Sequence, residues 1–386
     1  MVDVPVNHRV LVWARKERGL TEQQAADLLR LPLNEFNDLE AGYKKPTLAL
    51  LDRMATQYQI PFASLLMPEP LPDTARPRIP DFRTHLGLKP RIDHELLTAL
   101  DVVNLQIEMF TEVREAHPDL FQAPALPDYS KIVDPKEAAN RERARIAPTI
   151  DQQISWKTVA SAFRRWRAII ERQGVFVYLT SIGPENDVRG FAIYDERGIP
   201  VALINGDEGE SSARIFSLIH EYAHILIRKP GISDQNRKNS VERWCNQFAA
   251  YFLMPAERFK TEALKIDPGK GWSDTALRKI AEVFKVSMSA VALHLEDMGL
   301  AREGFYEARQ KQWKPRKPLK GGQPMSYAER QVNRLGVRHV SVVLDALDRR
   351  YINQLDAYEM TEVGPNHFED LRGEMVGRQL EYGTVR

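Results

Sequence analysis

His220, Glu221 and His224 stand in the pentapeptide His220-Glu221-Tyr222-Ala223-His224, and their spacing is the feature of this chain most able to do chemistry. The apolar residues on either side, 215–219 and 225–227, have the length and spacing of a buried or half-buried helix. On a helix, residues four apart share a face with Cβ atoms about 5–6 Å apart, so His220 and His224 can present two imidazole nitrogens to one ion. Glu221 starts on a neighbouring face and can lean toward a water on that ion. H-E-x-x-H on a helix is the arrangement in which two histidines hold zinc (Zn2+) and the glutamate acts as general base in hydrolysis. An otherwise apolar helix has little other use for three such residues, because burying each unpaired costs roughly 2–7 kcal/mol.

A hydrolytic zinc takes three protein ligands and keeps one position open, so a third ligand is expected downstream. Residues 240–254 read as the next helix, with Pro255 as its stop, because the residue before a proline is pushed out of the helical region. Within it Glu242, Cys245, Asn246 and Ala249 fall at i, i+3, i+4 and i+7 on one face. Both Glu242 and Cys245 could bind zinc. A carboxylate beside two histidines leaves a Lewis acid of moderate charge, whereas an added thiolate would tend to close the site. Glu242 is therefore the expected third ligand, and Cys245 is expected to be a small packed residue.

His220-Glu221-Tyr222-Ala223-His224, followed downstream by Glu242-Arg243-Trp244-Cys245-Asn246-Gln247-Phe248-Ala249-Ala250-Tyr251-Phe252-Leu253-Met254-Pro255, closely resembles the ImmA/IrrE family of metallopeptidase-like regulators. The resemblance spans residues 150–300. It implies an α+β zincin-like domain with a small sheet, zinc held by His220, His224 and Glu242, and Glu221 as the catalytic residue. It also implies a regulatory role, in which a repressor is cleaved or bound.

The residues ahead of the motif fit such a domain. Residues 175–179, 190–194 and 200–204 are apolar, β-branched and aromatic runs bounded by Gly174, Gly183-Pro184 and the turn Asp195-Glu196-Arg197-Gly198, and they predict three short strands. An exposed edge of such a sheet can pair with an extended peptide.

The first part of the chain is a separate helical unit. Patterns at 7–18, 21–30, 33–41, 47–58 and 61–66 predict five helices, the second capped by Thr21. Their spacing resembles the five-helix Xre, or lambda-repressor, type of helix-turn-helix, with 33–41 as the helix offered to the major groove. Asn34, Glu35, Asn37, Asp38 and Glu40 fall in that helix, without a lysine or arginine, and residues 1–70 hold eight Lys/Arg against nine Asp/Glu, a net of −1. DNA affinity depends heavily on neutralised phosphates, so DNA binding through this unit is expected to be weak, although Asn34 and Asn37 could meet adenine edges. A protein-docking or homodimerisation role stands beside it.

Composition sets the outer limits. A length of 386 residues leaves room for two or three domains, and 43% hydrophobic residues support ordinary cores. A single cysteine allows no internal disulfide, which suits a reducing cytoplasm. No apolar stretch has signal-peptide or membrane-spanning character. The net charge of +1 selects neither nucleic acid nor membrane.

The expected organisation is a helix-turn-helix domain at 1–67, a proline-rich linker at 68–90, a zincin-like domain with helical lead-in at 91–305, a basic linker at 306–325 and a C-terminal helical unit at 326–386. In the linker, Asp81-Phe82-Arg83 also resembles the junction of Xre and ImmA/IrrE modules. Residues 91–116 predict a long helix. Residues 277–293 resemble a second helix-turn-helix but are expected to pack behind the zinc domain. The run 309–322, with Arg309, Lys311, Lys314, Arg316, Lys317 and Lys320 around Trp313, reads as a solvated tether. The last sixty residues carry no chemical motif, and a partner-binding role is expected of them.

Two classes of function follow. One is a zinc metallopeptidase in which Glu221 takes a proton from the attacking water and returns it to the leaving amine; Tyr222, His294 and loop residues are candidates to stabilise the oxyanion. The other is a noncatalytic regulator or antitoxin that grips its partner with the same fold. The fusion resembles antitoxins paired with PIN-like nuclease toxins.

Overall fold

Thr21 begins a helix in the way its sequence requires: its hydroxyl accepts the Gln24 N–H at 3.2 Å, and the Gln24 side chain accepts the Thr21 N–H at 2.9 Å. Each side chain thus satisfies a backbone donor that the helix start would leave open. A computed structural model describes residues 3–58, 60–70, 94–132, 134–182, 188–194, 197–208, 211–229, 231–233, 240–267, 271–313 and 325–382. Most of the expected proline-rich linker, including Asp81-Phe82-Arg83, lies outside the described residues, as do 314–324 of the basic run, Gly183-Pro184 and the turn residues Asp195 and Glu196. The described residues divide into two compact units, one running up to residue 102 and the other from 103 onward.

The first unit holds α1 (His8–Glu17), α2 (Glu22–Leu29), α3 (Leu33–Glu40), α4 (Leu48–Tyr58) and α5 (Phe62–Leu65), which follow the five predicted helices closely. Leu11, Ala26, Leu29, Phe36, Leu51 and Tyr58 close its core. The charges on α3 are not all turned outward. Arg15 of α1 grips Glu40 with two bonds of 2.8 and 2.9 Å and also holds the Leu20 carbonyl at 2.8 Å, while Lys44 pairs with Glu35. Asn34, Asn37 and Asp38 are the exposed polar side chains of this helix.

After α6 (His94–Ala116), the second unit runs through α7 (Pro135–Ile146), α8 (Ile150–Ile154) and α9 (Val159–Arg172) into β1 (Phe176–Thr180), β2 (Gly190–Ile193) and β3 (Val201–Asn205). Then come α10 (Ser211–Leu226), β4 (Gly231–Ser233), α11 (Ser240–Leu253), α12 (Ala256–Ile266), α13 (Asp274–Phe284), α14 (Met288–Asp297) and α15 (Phe305–Gln312). The sheet has the order β1-β3-β2-β4. β1 runs parallel to β3 with Phe176 opposite Val201, and β2 runs antiparallel to both β3 and β4, with Gly190 opposite Ile204 and Ser233. The three expected strands are present, and β4 is an addition too short to announce itself by periodicity. β2 and β3 are buried throughout, which is why they read as continuous apolar runs rather than alternating ones.

α10 lies on β2 and β3 with α9 and α11 beside it. Trp166, Phe248 and Phe252 extend that core to Leu277, Ile280 and Val291, so α13 and α14 pack behind the domain. Asp274 binds Arg309 and the Trp313 indole N–H, each at 3.0 Å, which fixes the start of the basic run against α13.

The last helices are α16 (Tyr327–Leu335), α17 (Val337–Asp348), α18 (Gln354–Thr361) and α19 (Phe368–Tyr382), and α16 packs across β1. Arg167 of α9 is the clasp. It donates to the carbonyls of Val177 on β1 and Asn333 on α16, and pairs with the fully buried Glu171 at 3.1 Å. Glu171 also accepts the Val337 N–H at 3.3 Å. Gly336 stands over this pair at φ +92°, where a Cβ would run into Glu171 Oε1 and the Val177 carbonyl. His339 completes the seam, 3.0 Å from the Tyr178 hydroxyl through Nδ1 and 2.8 Å from the Met360 carbonyl through Nε2. Among the described residues, no helix is long and apolar enough to cross a membrane.

Candidate metal centre

The site arises where α10 and α11 cross. Leu218, Ile219, Tyr222, Ala223 and Ile225 sit in the hydrophobic core, so the second half of α10, with its polar residues His220, Glu221 and His224, is buried. His220, Glu221 and His224 are 5%, 0% and 2% exposed, and Glu242, one turn into α11, is 1% exposed. On its opposite side α11 is anchored by Trp244, Phe248 and Phe252, whose rings stack in sequence with centroids 5.5 and 5.8 Å apart. That stripe sets the rotation at which Glu242 and Asn246 face α10.

The resulting geometry is compact. His220 Nε2 lies 3.1 Å from Glu242 Oε2, His224 Nε2 lies 3.1 Å from Glu242 Oε1, and the two Nε2 atoms are 3.2 Å apart. Among the described residues these three form the one group of histidine, cysteine and carboxylate donors, all within 4.8 Å of one another, that could hold a metal ion. The spacing suits zinc. Ligand atoms about 2.0–2.1 Å from a tetrahedral zinc lie about 3.3 Å from each other, close to the separations found here. His224 Nδ1 donates to the Lys229 carbonyl at 2.9 Å, which makes Nε2 the nitrogen available to an ion. Burial opposes a charge on this ring, but Cys245 and Glu242 outweigh it and hold its pKa well above the ordinary value. Asn246 hydrogen-bonds His220 from the next turn of α11. Burial holds His220 below its ordinary pKa and so favours the neutral, ligating imidazole. Burial alone would raise the Glu242 carboxyl, but hydrogen bonds and charge from the two histidines outweigh it and hold the carboxyl at about 2.

The predicted residues divide as follows. His220, His224 and Glu242 come together, while Glu221, the next residue of α10 after His220, lies against the start of β2 and outside that group. Cys245 is fully buried, hydrogen-bonded to His224, and burial pushes its thiol up, so it stays protonated as a packed residue would. Tyr222 and His294 are committed elsewhere. The Tyr222 hydroxyl donates to Glu142 at 2.5 Å, where Tyr129 and Arg145 also converge on the same buried carboxylate. His294 Nε2 is bound to the Met254 carbonyl at 2.9 Å, with its ring edge-on to Phe259.

Sequence reasoning passed over Asn246, Lys229 and Glu142. Asn246 was legible as a polar residue on the Glu242 face. Lys229 acts through its carbonyl, and Glu142 lies in an Arg/Glu-rich helix that reads as surface. One turn before His220 and Glu221, the Ser217 hydroxyl donates to the half-buried Glu208 at 2.9 Å.

Comparison with known families agrees with this layout. Residues 170–296 match the peptidase family described as the IrrE N-terminal-like domain, and residues 11–65 match the family described as helix-turn-helix. The chain therefore carries a metallopeptidase-like domain of the ImmA/IrrE type behind an N-terminal helix-turn-helix domain, the pairing of a regulator of that type. No curated protein matches the chain.

Proposed function

We propose that this chain is a zinc-dependent metallopeptidase of regulatory type, acting on a protein partner in the reducing cytoplasm. The observation that carries the reading is the meeting of His220, His224 and Glu242 on two buried helices, with donor atoms within 4.8 Å, in a helix where buried Glu221 directly follows His220. Bound zinc supplies a lowered water pKa of about 7 and polarisation of a carbonyl oxygen. Glu221 takes the proton of the attacking water and delivers it to the leaving amine, as a general base and then a general acid. His224, locked through Lys229, and His220, held through Asn246, keep their ring nitrogens oriented for the ion.

The N-terminal domain would bring this activity near DNA, with weak affinity, because α3, the helix offered to the groove, carries no lysine or arginine and residues 1–70 have a net charge of −1. The partner is a repressor or a PIN-like nuclease toxin, which the peptidase domain inactivates or releases. The test uses the full chain co-expressed with the product of its neighbouring gene, as wild type and as Glu221→Gln. The expected outcome is a cleaved partner with wild type, an intact one with the variant, and equal zinc in both. A partner that co-purifies intact with both proteins would contradict cleavage and assign the fold to gripping alone.

A further inference from the structure

Gly190 opens β2 at the point where the sheet passes closest to Glu221. It is paired on both sides, opposite Ile204 of β3 and Ser233 of β4, so the strand cannot swing away there without breaking a ladder. A Cβ built on Gly190 would stand 2.9 Å from Glu221 Oε1, 3.1 Å from Glu221 Cγ and 2.5 Å from the Leu203 carbonyl oxygen. The first two distances place the whole outer half of the Glu221 side chain in the space that any other residue at 190 would fill. On the other side α10 is fixed, because His220 and His224 are tied to Glu242 and Tyr222 is tied to Glu142. The carboxylate therefore has β2 as its floor and a fixed helix as its origin.

We propose that Gly190 is the positioning residue for Glu221: the bare backbone at 190 lets the carboxylate lie against β2, on the helix that carries His220 and His224. The inference deepens the peptidase reading and rests on it for its catalytic consequence, though the contact itself is independent of turnover. A methyl group at 190 displaces the carboxylate, and a displacement on the order of 1 Å can lower a rate about 10²-fold. Zinc content is expected to be unchanged, because the three atoms nearest a Cβ at 190 belong to Leu203 and Glu221 and to none of the three ligands.

The experiment is a double-substitution cycle on the full chain: wild type, Gly190→Ala, Glu221→Ala and both together, read by thermal unfolding midpoint and zinc per chain. If Glu221 occupies the space, Gly190→Ala lowers the midpoint by several degrees more in the wild-type background than beside Glu221→Ala, a difference of roughly 2–4 °C or more. Zinc content is the same in Gly190→Ala as in wild type, and cleavage of the partner falls about 10²-fold. Should Gly190→Ala prove insoluble, recovery of soluble protein by adding Glu221→Ala is the supporting result. An equal loss in both backgrounds, or no recovery, would assign the glycine to the Leu203 carbonyl and overturn the proposal. A wild type that cleaves nothing would sink the peptidase reading, while the thermal cycle would still decide the contact.

Discussion

At the scale of single residues, the site separates side chains that could hold a metal, or orient one that could, from those that are merely close by. Cys245 is close to His224 but is expected to stay a packed thiol rather than a ligand. Its thiol is fully buried, burial raises its pKa, and the thiolate is the form that reacts. Cys245→Ala is therefore expected to keep the zinc content and activity of wild type, and mild peroxide should not eject the metal. Peroxide-driven zinc release that disappears in the alanine variant would instead make the thiol an oxidant sensor. Asn246, one turn after Glu242 on the same face of α11, is not a ligand but neighbours His220 and is expected to orient it. Asn246→Leu removes the partner that orients His220, and zinc affinity should fall about 10–100-fold, the usual loss when the outer partner of a metal histidine goes. A competition titration with a chelator measures it, and unchanged affinity would leave Asn246 a packing residue.

At the scale of elements, the tie between α7 and α10 is the clearest structural claim. Tyr222 sits inside the H-E-x-x-H pentapeptide, yet its hydroxyl serves Glu142, which is fully buried and also bound by Arg145. Tyr222→Phe takes one hydrogen bond from that carboxylate, and calorimetry should find a loss of about 1–3 kcal/mol. Cleavage by the folded variant should persist; its abolition would return Tyr222 to the chemistry.

The helix-turn-helix makes a complementary prediction. With no lysine or arginine on α3 and a net charge of −1 over residues 1–70, the full chain should bind duplex DNA with a shallow salt dependence, equivalent to about three phosphates or fewer. A steep slope with nanomolar affinity at physiological salt would contradict it. This is also the scale at which sequence was most informative. Helix starts, the three longer strands and the facing of His220, His224 and Glu242 follow from local periodicity and capping. β4 has only three residues, and neither its pairing nor the contacts of Glu142 with Tyr222 leave a local pattern. They depend on residues far apart in the chain, as does the neutralisation of Glu40 by Arg15, which makes α3 less acidic outward than its composition suggests.

At the scale of the molecule, the C-terminal helices are part of the unit that holds the metal site, joined to it by the Arg167–Glu171 pair, Gly336 and His339. Their sequence carries no chemical motif, because what matters in it is a glycine without room for a side chain and a histidine bonded through both ring nitrogens. Burial pushes His339 down to about 3 and His294 down to about 4, against an unfolded value near about 6.5. The unfolded chain therefore binds more protons within that window. The stability contributed by the two neutral rings is complete above about pH 6.5 and is lost as pH falls toward 4 and then 3. Each pH unit in the window removes up to about 1.4 kcal/mol per histidine. Thermal unfolding of chelator-treated protein, which excludes metal loss as a cause, should shift downward between pH 7.5 and 5; a flat midpoint would contradict this.

The account as a whole depends on the metal. Zinc analysis of the purified full chain beside its His220→Ala variant is the most direct measurement. One zinc per chain in wild type and its loss from the variant is the predicted result; equal zinc in the two proteins would contradict the assignment of His220, His224 and Glu242.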